Sequence, residues 1–217
     1  MITVIEIISI IVLFAVFGFS HTLLASKVTK EFIRKRFGNK IAFYRLGYNI
    51  VSILVFLLVW EFVPHPDIVV YDFPYPYDII IFILQTLSLF GIIWAVSVVE
   101  LGEFIGISQI QRYYLGIYNE KELDEKSTFH IRGAYRISRH PIYFFFILFL
   151  GFRPTMDLFY ITAYFCFVVY FYLGSVYEEK KLLEKFGEKY ALYQQIVPRI
   201  IPYKLFGNKK LEKLNEF

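Results

Sequence analysis

From Pro141 to Tyr177 the chain reads PIYFFFILFLGFRPTMDLFYITAYFCFVVYFYLGSVY, and this stretch decides the fold. Its only charged residues, Arg153 and Asp157, flank Pro154 at a single interruption. An apolar run of this length without alternation belongs in hydrocarbon, and a proline between charges breaks it into two helices, so the stretch reads as a helical hairpin over 141–177. Its first arm, Pro141–Phe152, would be only about 18 Å long at 1.5 Å per residue, short of the ~30 Å of a bilayer core. A partly re-entrant hairpin and a fully spanning one are both open. In either case residues 140 and 178 return to one face.

Three more blocks lie upstream, Ile7–Leu24, Ile41–Val63 and Ile79–Val99, each long enough to cross. Of the 217 residues, 57% are hydrophobic and 21% aromatic, more than a soluble domain carries in blocks of this kind. The reading is an all-α, polytopic membrane protein of five hydrophobic helices, the last two a hairpin, followed by a cytosolic amphipathic C-terminal helix. The chain forms a single membrane domain, 1–217: three transmembrane helices over 1–100, a loop over 101–140, the hairpin, and a tail over 178–217. Met1–Leu24 has no basic leading region and carries Glu6, so it does not read as a secretory signal.

Charge sets the expected orientation. Six Lys/Arg lie in 25–40, none in 64–78, one (Arg153) at the hairpin tip, six in 100–140 and nine after Glu178. This alternation predicts a multi-pass protein with the N-terminus outside and the C-terminus cytosolic. The net charge of +4 is dispersed beside the apolar blocks, which points to lipid headgroups and not to nucleic acid. The lone Cys166 excludes an intrachain disulfide and a thiolate metal site, and reads as a small hydrophobe. No metal cluster, Walker loop, Rossmann glycine pattern or recognisable Ser/His/Asp arrangement is present.

Chemistry concentrates where the hairpin meets the cytosolic face. Arg139-His140 enters the membrane there and Glu178-Glu179 leaves it, ahead of an amphipathic stripe of Leu182, Leu183, Phe186, Tyr190 and Tyr193. A basic pair facing an acidic pair can hold a zwitterion, its carboxylate against Arg139 and His140 and its ammonium against the glutamates. A structural reading stands beside this one. Pro141 starts a helix, Arg136 and Arg139 anchor it at the interface, and Glu178–Lys181 is a solvated face.

Arg139-His-Pro-x-Tyr143, Glu178-Glu179-x-x-Leu182, Phe186-Gly187-x-x-Tyr190, Tyr193 and Pro198-x-x-Ile201-Pro202 resemble the C-terminal signature of the isoprenylcysteine carboxyl methyltransferase superfamily, integral-membrane enzymes that use S-adenosyl-L-methionine. The resemblance implies a cofactor pocket that includes Arg139, His140, Pro141 and Tyr143, with Pro154, Thr155 and Met156 of the hairpin turn. On the other side it implies Glu178, Glu179, Tyr190 and Arg199. Ser20-His21-Thr-Leu-Leu-Ala-Ser26, Tyr44-Arg45-Leu46-x-Tyr48-Asn49, Ser52 and Glu103-Phe-Ile-Gly106 look like the NnrU-like and methanethiol S-methyltransferase branch. The isoprenylcysteine enzymes carry an arginine one helical turn before the acidic pair, where this chain has Gly174, which argues against a prenylated carboxylate as substrate.

The expected activity is therefore methyl transfer from S-adenosylmethionine to a small lipophilic acceptor, a thiol before other classes, reaching the site from the lipid bilayer. His21 and Glu103 are the catalytic candidates for the acceptor's proton, each with a structural hydrogen bond as the alternative, and Arg45 is expected to snorkel to the headgroups. The competing readings are a non-catalytic NnrU-like accessory protein, an isoprenylcysteine carboxyl or phospholipid methyltransferase, and a transporter. The last lacks an inverted repeat.

Overall fold

The computed structural model describes residues 2–121, 123, 129 and 131–203; the expected cytosolic tail beyond residue 203 lies outside the described residues. The helices are α1 (Ile2–Ala25), α2 (Lys27–Phe37), α3 (Tyr44–Phe62), α4 (Tyr77–Val96), α5 (Leu101–Ile105), α6 (Ile107–Tyr114), α7 (Pro141–Gly151) and α8 (Leu158–Ile196). The strands β1 (Val69–Asp72) and β2 (Thr155–Asp157) form one antiparallel pair. Four helical runs are long and apolar enough to cross a membrane: α1, the run Lys27–Phe62 that contains α3, α4 and α8. The fifth apolar helix, α7, is shorter. Large apolar side chains such as Val16, Phe19, Leu58, Phe62, Phe82 and Phe90 stand exposed along these helices, as lipid-facing surface requires. The chain is an all-α polytopic membrane protein.

It divides into two compact units, one of Met1–His65 and Val99–Thr128, the other of Pro66–Val98 and Phe129–Phe217. In the first, the inner face of α1 carries Ile10, Phe14, Phe17 and His21, spaced to stay on one side of the helix. Phe17 packs on Phe56 of α3 with ring centroids 5.5 Å apart. The hydroxyl of Tyr44 donates to Leu24 O at 2.8 Å and satisfies one of the carbonyls left open where α1 ends. Arg45 is tied to the end of α5. Its Nε donates to Phe104 O at 2.8 Å, and Asn49 Nδ2 donates to Phe104 O and Ile105 O at 3.2 and 2.9 Å. Together they close the end of α5 by satisfying carbonyls left open there. Gly106 makes this approach possible: its φ is +106°, and a Cβ there would lie 2.7 Å from Leu46 N.

In the second unit α4 buries Ser88, Gly91 and Ala95, a stripe of small residues facing α7. In lipid no hydrophobic force holds helices together, so close backbone approach through small residues does. The α7–α8 hairpin closes at Arg153–Asp157, where β2 pairs with β1. Thr155 opposes Asp72 and donates to its carboxylate at 2.7 Å. Asp157 then caps α8 by accepting from Tyr160 N at 2.8 Å.

The tail helix is set off from the membrane-spanning part of α8 by a break in helical geometry. The break is a kink at Gly187, whose non-helical φ of +54° is open to glycine. Tyr190, Tyr193 and Val197 form a buried core with Ile131, flanked by Leu182 and Phe186. Leu183 is 41% exposed and falls off the stripe to which periodicity assigned it.

Candidate functional site

At the mouth of the hairpin the extended chain Ser138–His140 runs beside Pro198–Ile200. Arg139 N donates to Pro198 O and His140 N to Arg199 O, both at 2.9 Å, while the buried Ser138 Oγ donates to Ile200 O at 2.8 Å. This clip fixes where α7 begins, with Pro141 in its first turn, where the missing N–H is no loss.

Arg139 and Glu179 form the frame. Arg139 Nε donates to Glu179 Oε1 at 2.7 Å, and its Nη1 donates to Gln194 O at 2.6 Å and Val197 O at 2.9 Å. One guanidinium thus neutralises a carboxylate and caps the carbonyl end of α8, where the helix dipole favours a cation. Glu179 is only 3% exposed and also accepts from Gln194 Nε2 at 3.0 Å and Arg199 Nε at 3.2 Å, with His140 Nε2 3.3 Å away. A carboxylate has about four acceptor positions, and here protein donors fill them.

Glu178 differs. Its side chain is half-exposed, accepts from Tyr143 OH at 3.1 Å and lies 3.5 Å from His140 Nδ1. His140 is stacked on Tyr143 (5.3 Å, 6°), and Tyr143 on Phe171 (5.0 Å, 15°), giving a wall of parallel rings. Gly174, one turn before Glu178, faces that wall, since a Cβ there would meet only the Tyr143 hydroxyl at 3.9 Å. Burial works against a charge on His140, but hydrogen bonds to Glu178 and Glu179 and their negative charge outweigh it, and the imidazole pKa is raised. Burial, with the charge of Glu178, pushes the Tyr135 hydroxyl up to about 12. Among the described residues the buried Tyr190 hydroxyl has no hydrogen-bond partner.

Of the expected cofactor residues, the structure brings together Arg139, His140, Pro141, Tyr143, Glu178, Glu179 and Arg199, all in the second unit, with Tyr190 in the adjoining tail core. It does not bring Pro154, Thr155 and Met156 to them. These sit at the opposite end of α7 and α8, in the turn and β2, with Met156 buried and Thr155 bound to Asp72. The hairpin's own geometry causes this, because the tip of an antiparallel pair is the point farthest from its mouth.

The acceptor-side candidates both lie in the first unit. Tyr48 OH is 2.6 Å from His21 Nε2, and Ser52 Oγ is 3.1 Å from Nδ1, one helical turn further along α3. Glu103 is 6% exposed, paired with Arg112, and accepts from Gln109 Nε2 at 3.2 Å. Sequence reasoning missed Ser138 and Gln194, whose contacts lie 62 and 15 residues away, and Arg112, whose partner Glu103 is nine residues away on another helix. It also passed over Phe171, although 171, 174 and 178 fall on one helical face.

No family model and no solved structure matches the chain. It is 26% identical over 198 residues to methanethiol S-methyltransferase 1 of Bradyrhizobium diazoefficiens, covering 89% of this chain and 66% of that protein. It is 27% identical to the methanethiol S-methyltransferases of Crocosphaera subtropica and Pseudomonas deceptionensis, covering 88% of this chain and 72% and 71% of theirs. The chain therefore spans about two thirds of the length of the first of these relatives, and is similar to methanethiol S-methyltransferases over nearly nine tenths of its own.

Proposed function

We propose that this chain is an integral-membrane methyltransferase that takes its methyl group from S-adenosyl-L-methionine and passes it to a small lipophilic thiol. The observation that carries the proposal is the unequal pair Glu178 and Glu179. Glu179 is consumed by Arg139, Arg199 and Gln194, and this holds Glu178 half-exposed beside a wall of aromatic rings. The similarity to three methanethiol S-methyltransferases supports the choice of a thiol.

The donor set fits the cofactor's chemistry. Glu178 is a carboxylate with acceptor capacity left for an ammonium group, and Arg199, 34% exposed and only partly used by Glu179, serves a carboxylate. Arg139 is committed to α8, so the cation for that carboxylate is Arg199. The stacked rings of His140, Tyr143 and Phe171 give the site an apolar, aromatic side suited to the cofactor's adenine. When bound, the cofactor supplies a methyl group on a positively charged sulfur. The chain's part is to hold the acceptor in line with that group and to keep water away.

The candidate base for the acceptor's proton is His21, in the first unit. A thiol with a pKa near 8.5 needs a base, and His21 is held at both ring nitrogens by Tyr48 and Ser52, which fixes its orientation. Glu103 is occupied by Arg112 and Gln109 and is given no proton to move. Gly174 leaves no cation for a prenylated carboxylate, whose unpaired charge would cost several kcal/mol in an apolar setting. The alternating Lys/Arg counts support an N-terminus outside and a C-terminus in the cytosol, with a polar cofactor reaching Glu178 from the cytosol and the acceptor arriving through lipid.

The test incubates purified protein with methyl-labelled cofactor and a panel of thiols, phenols, amines and carboxylates. Label in a small lipophilic thiol is expected, with His21→Ala lowering kcat more than cofactor affinity. Label only in a farnesylcysteine analogue would restore the prenylcysteine reading. Cofactor binding without transfer to any acceptor would leave an accessory protein.

A further inference from the structure

Helix α2 has a face that is unpartnered among the described residues and whose chemistry matches the surface it starts beside. A single residue, Ser26, separates it from the apolar run of α1, and Ser26 caps it by accepting from Thr29 N at 3.2 Å. Gly38, at φ +56°, ends it. On one side of the helix Lys30 is buried, 8% exposed. The opposite side carries Val28, Phe32, Lys35 and Arg36, within a 100° arc at 100° per residue. Val28 is 78% and Phe32 69% exposed.

Charge sorts along this face. Its first half is apolar, and its last turn presents Lys35 and Arg36, with Lys40 just beyond, all exposed. Among the described residues these three cations have no carboxylate partner. The acid on the helix, Glu31, is taken by Arg34, whose Nε and Nη2 donate to Glu31 Oε2 at 3.0 and 2.8 Å. Two large apolar side chains held next to three uncompensated cations, directly after a membrane-crossing helix, describe an element seated at the boundary of acyl chains and phosphates.

We propose that α2 is a docking helix for anionic phospholipid headgroups, with Val28 and Phe32 inserted at the acyl boundary and Lys35, Arg36 and Lys40 on the phosphates. The proposal goes beyond the methyl-transfer reading and does not depend on it.

The full-length protein carrying Cys166→Ala and Phe32→Cys, labelled at position 32 with an environment-sensitive fluorophore, is placed in liposomes. These contain either phosphatidylcholine alone or a mixture with phosphatidylglycerol, each doped with lipid spin-labelled high on the acyl chain. Blue-shifted, strongly quenched emission is expected in the mixture, with weaker quenching in phosphatidylcholine. Each cation near an anionic surface is worth about fivefold, so K35Q/R36Q/K40Q lowers the ratio of seated to unseated helix by on the order of a hundredfold. Raising the salt concentration on the unsubstituted protein should weaken the phosphatidylglycerol preference without any change in sequence. Equal quenching with and without phosphatidylglycerol, or none in either, overturns the proposal. So does concentration-dependent self-quenching at position 32, which would put a second copy of the chain on this face.

Discussion

Two adjacent glutamates are expected to respond to substitution in opposite ways. Glu179→Ala removes a 3%-exposed carboxylate that accepts from Arg139, Gln194 and Arg199, with His140 beside it, and leaves buried positive charge without compensation. Breaking one side of such a buried pair costs about 3–5 kcal/mol. For a chain of this size each kcal/mol is worth roughly 2–4 °C, so the melting temperature in detergent should fall by on the order of 10 °C. Glu178→Ala removes a half-exposed group whose protein contacts are one tyrosine hydroxyl and the edge of His140. Its stability should barely change. What it should lose is a charge-assisted contact to the cofactor, about 1.5–3 kcal/mol, or a tenfold to hundredfold weaker Kd by calorimetry. Measuring both variants for both quantities decides the matter. If Glu178→Ala binds S-adenosylmethionine like the unsubstituted protein, or if Glu179→Ala melts normally and Glu178→Ala does not, the division into a frame glutamate and a ligand glutamate is wrong.

Because the pKa of His140 is raised, its contribution to stability is fully present below the ordinary histidine value of about 6.5 and lost as pH rises through the higher folded value. Thermal melts taken from acidic to alkaline pH should show a fall that His140→Gln flattens, and a parallel curve in the variant would remove His140 as its source. A Cβ at Gly91 would lie 2.2 Å from Phe145 Cδ1, so Gly91→Ala should destabilise by about 1–3 kcal/mol, with Phe145→Leu in the same chain recovering part of it. Cysteines placed at Lys35 and Asp72 on a background lacking Cys166 test the orientation: an impermeant reagent on sealed cells should label position 72 and spare 35.

The sequence by itself determined the solvent of this protein. Runs such as Pro141–Tyr177 are too long and too apolar for water, and since every backbone group in lipid must be satisfied within its own segment, helices follow without further information. It also determined the turn at Pro154 and drew attention to Arg139-His140 and Glu178-Glu179, because ionisable groups at the edge of apolar runs stand out.

What each charge does there was decided by tertiary structure. Arg139 reads as a ligand cation in sequence, and only the arrival of Gln194 and Val197 beside it turns it into a helix cap. Glu178 and Glu179 are neighbours of the same type, separated in role by the helical rotation that buries one and leaves the other half-open. Arg45 reads as a headgroup anchor in sequence, and only the fold adds its bond to the end of α5. Pro154, Thr155 and Met156 resemble pocket residues, yet the hairpin holds them at its far end. The physical reason is the same in each case. Hydrophobicity is a property of a segment and can be read along the chain, whereas a hydrogen bond depends on distance and direction between groups that only folding brings together.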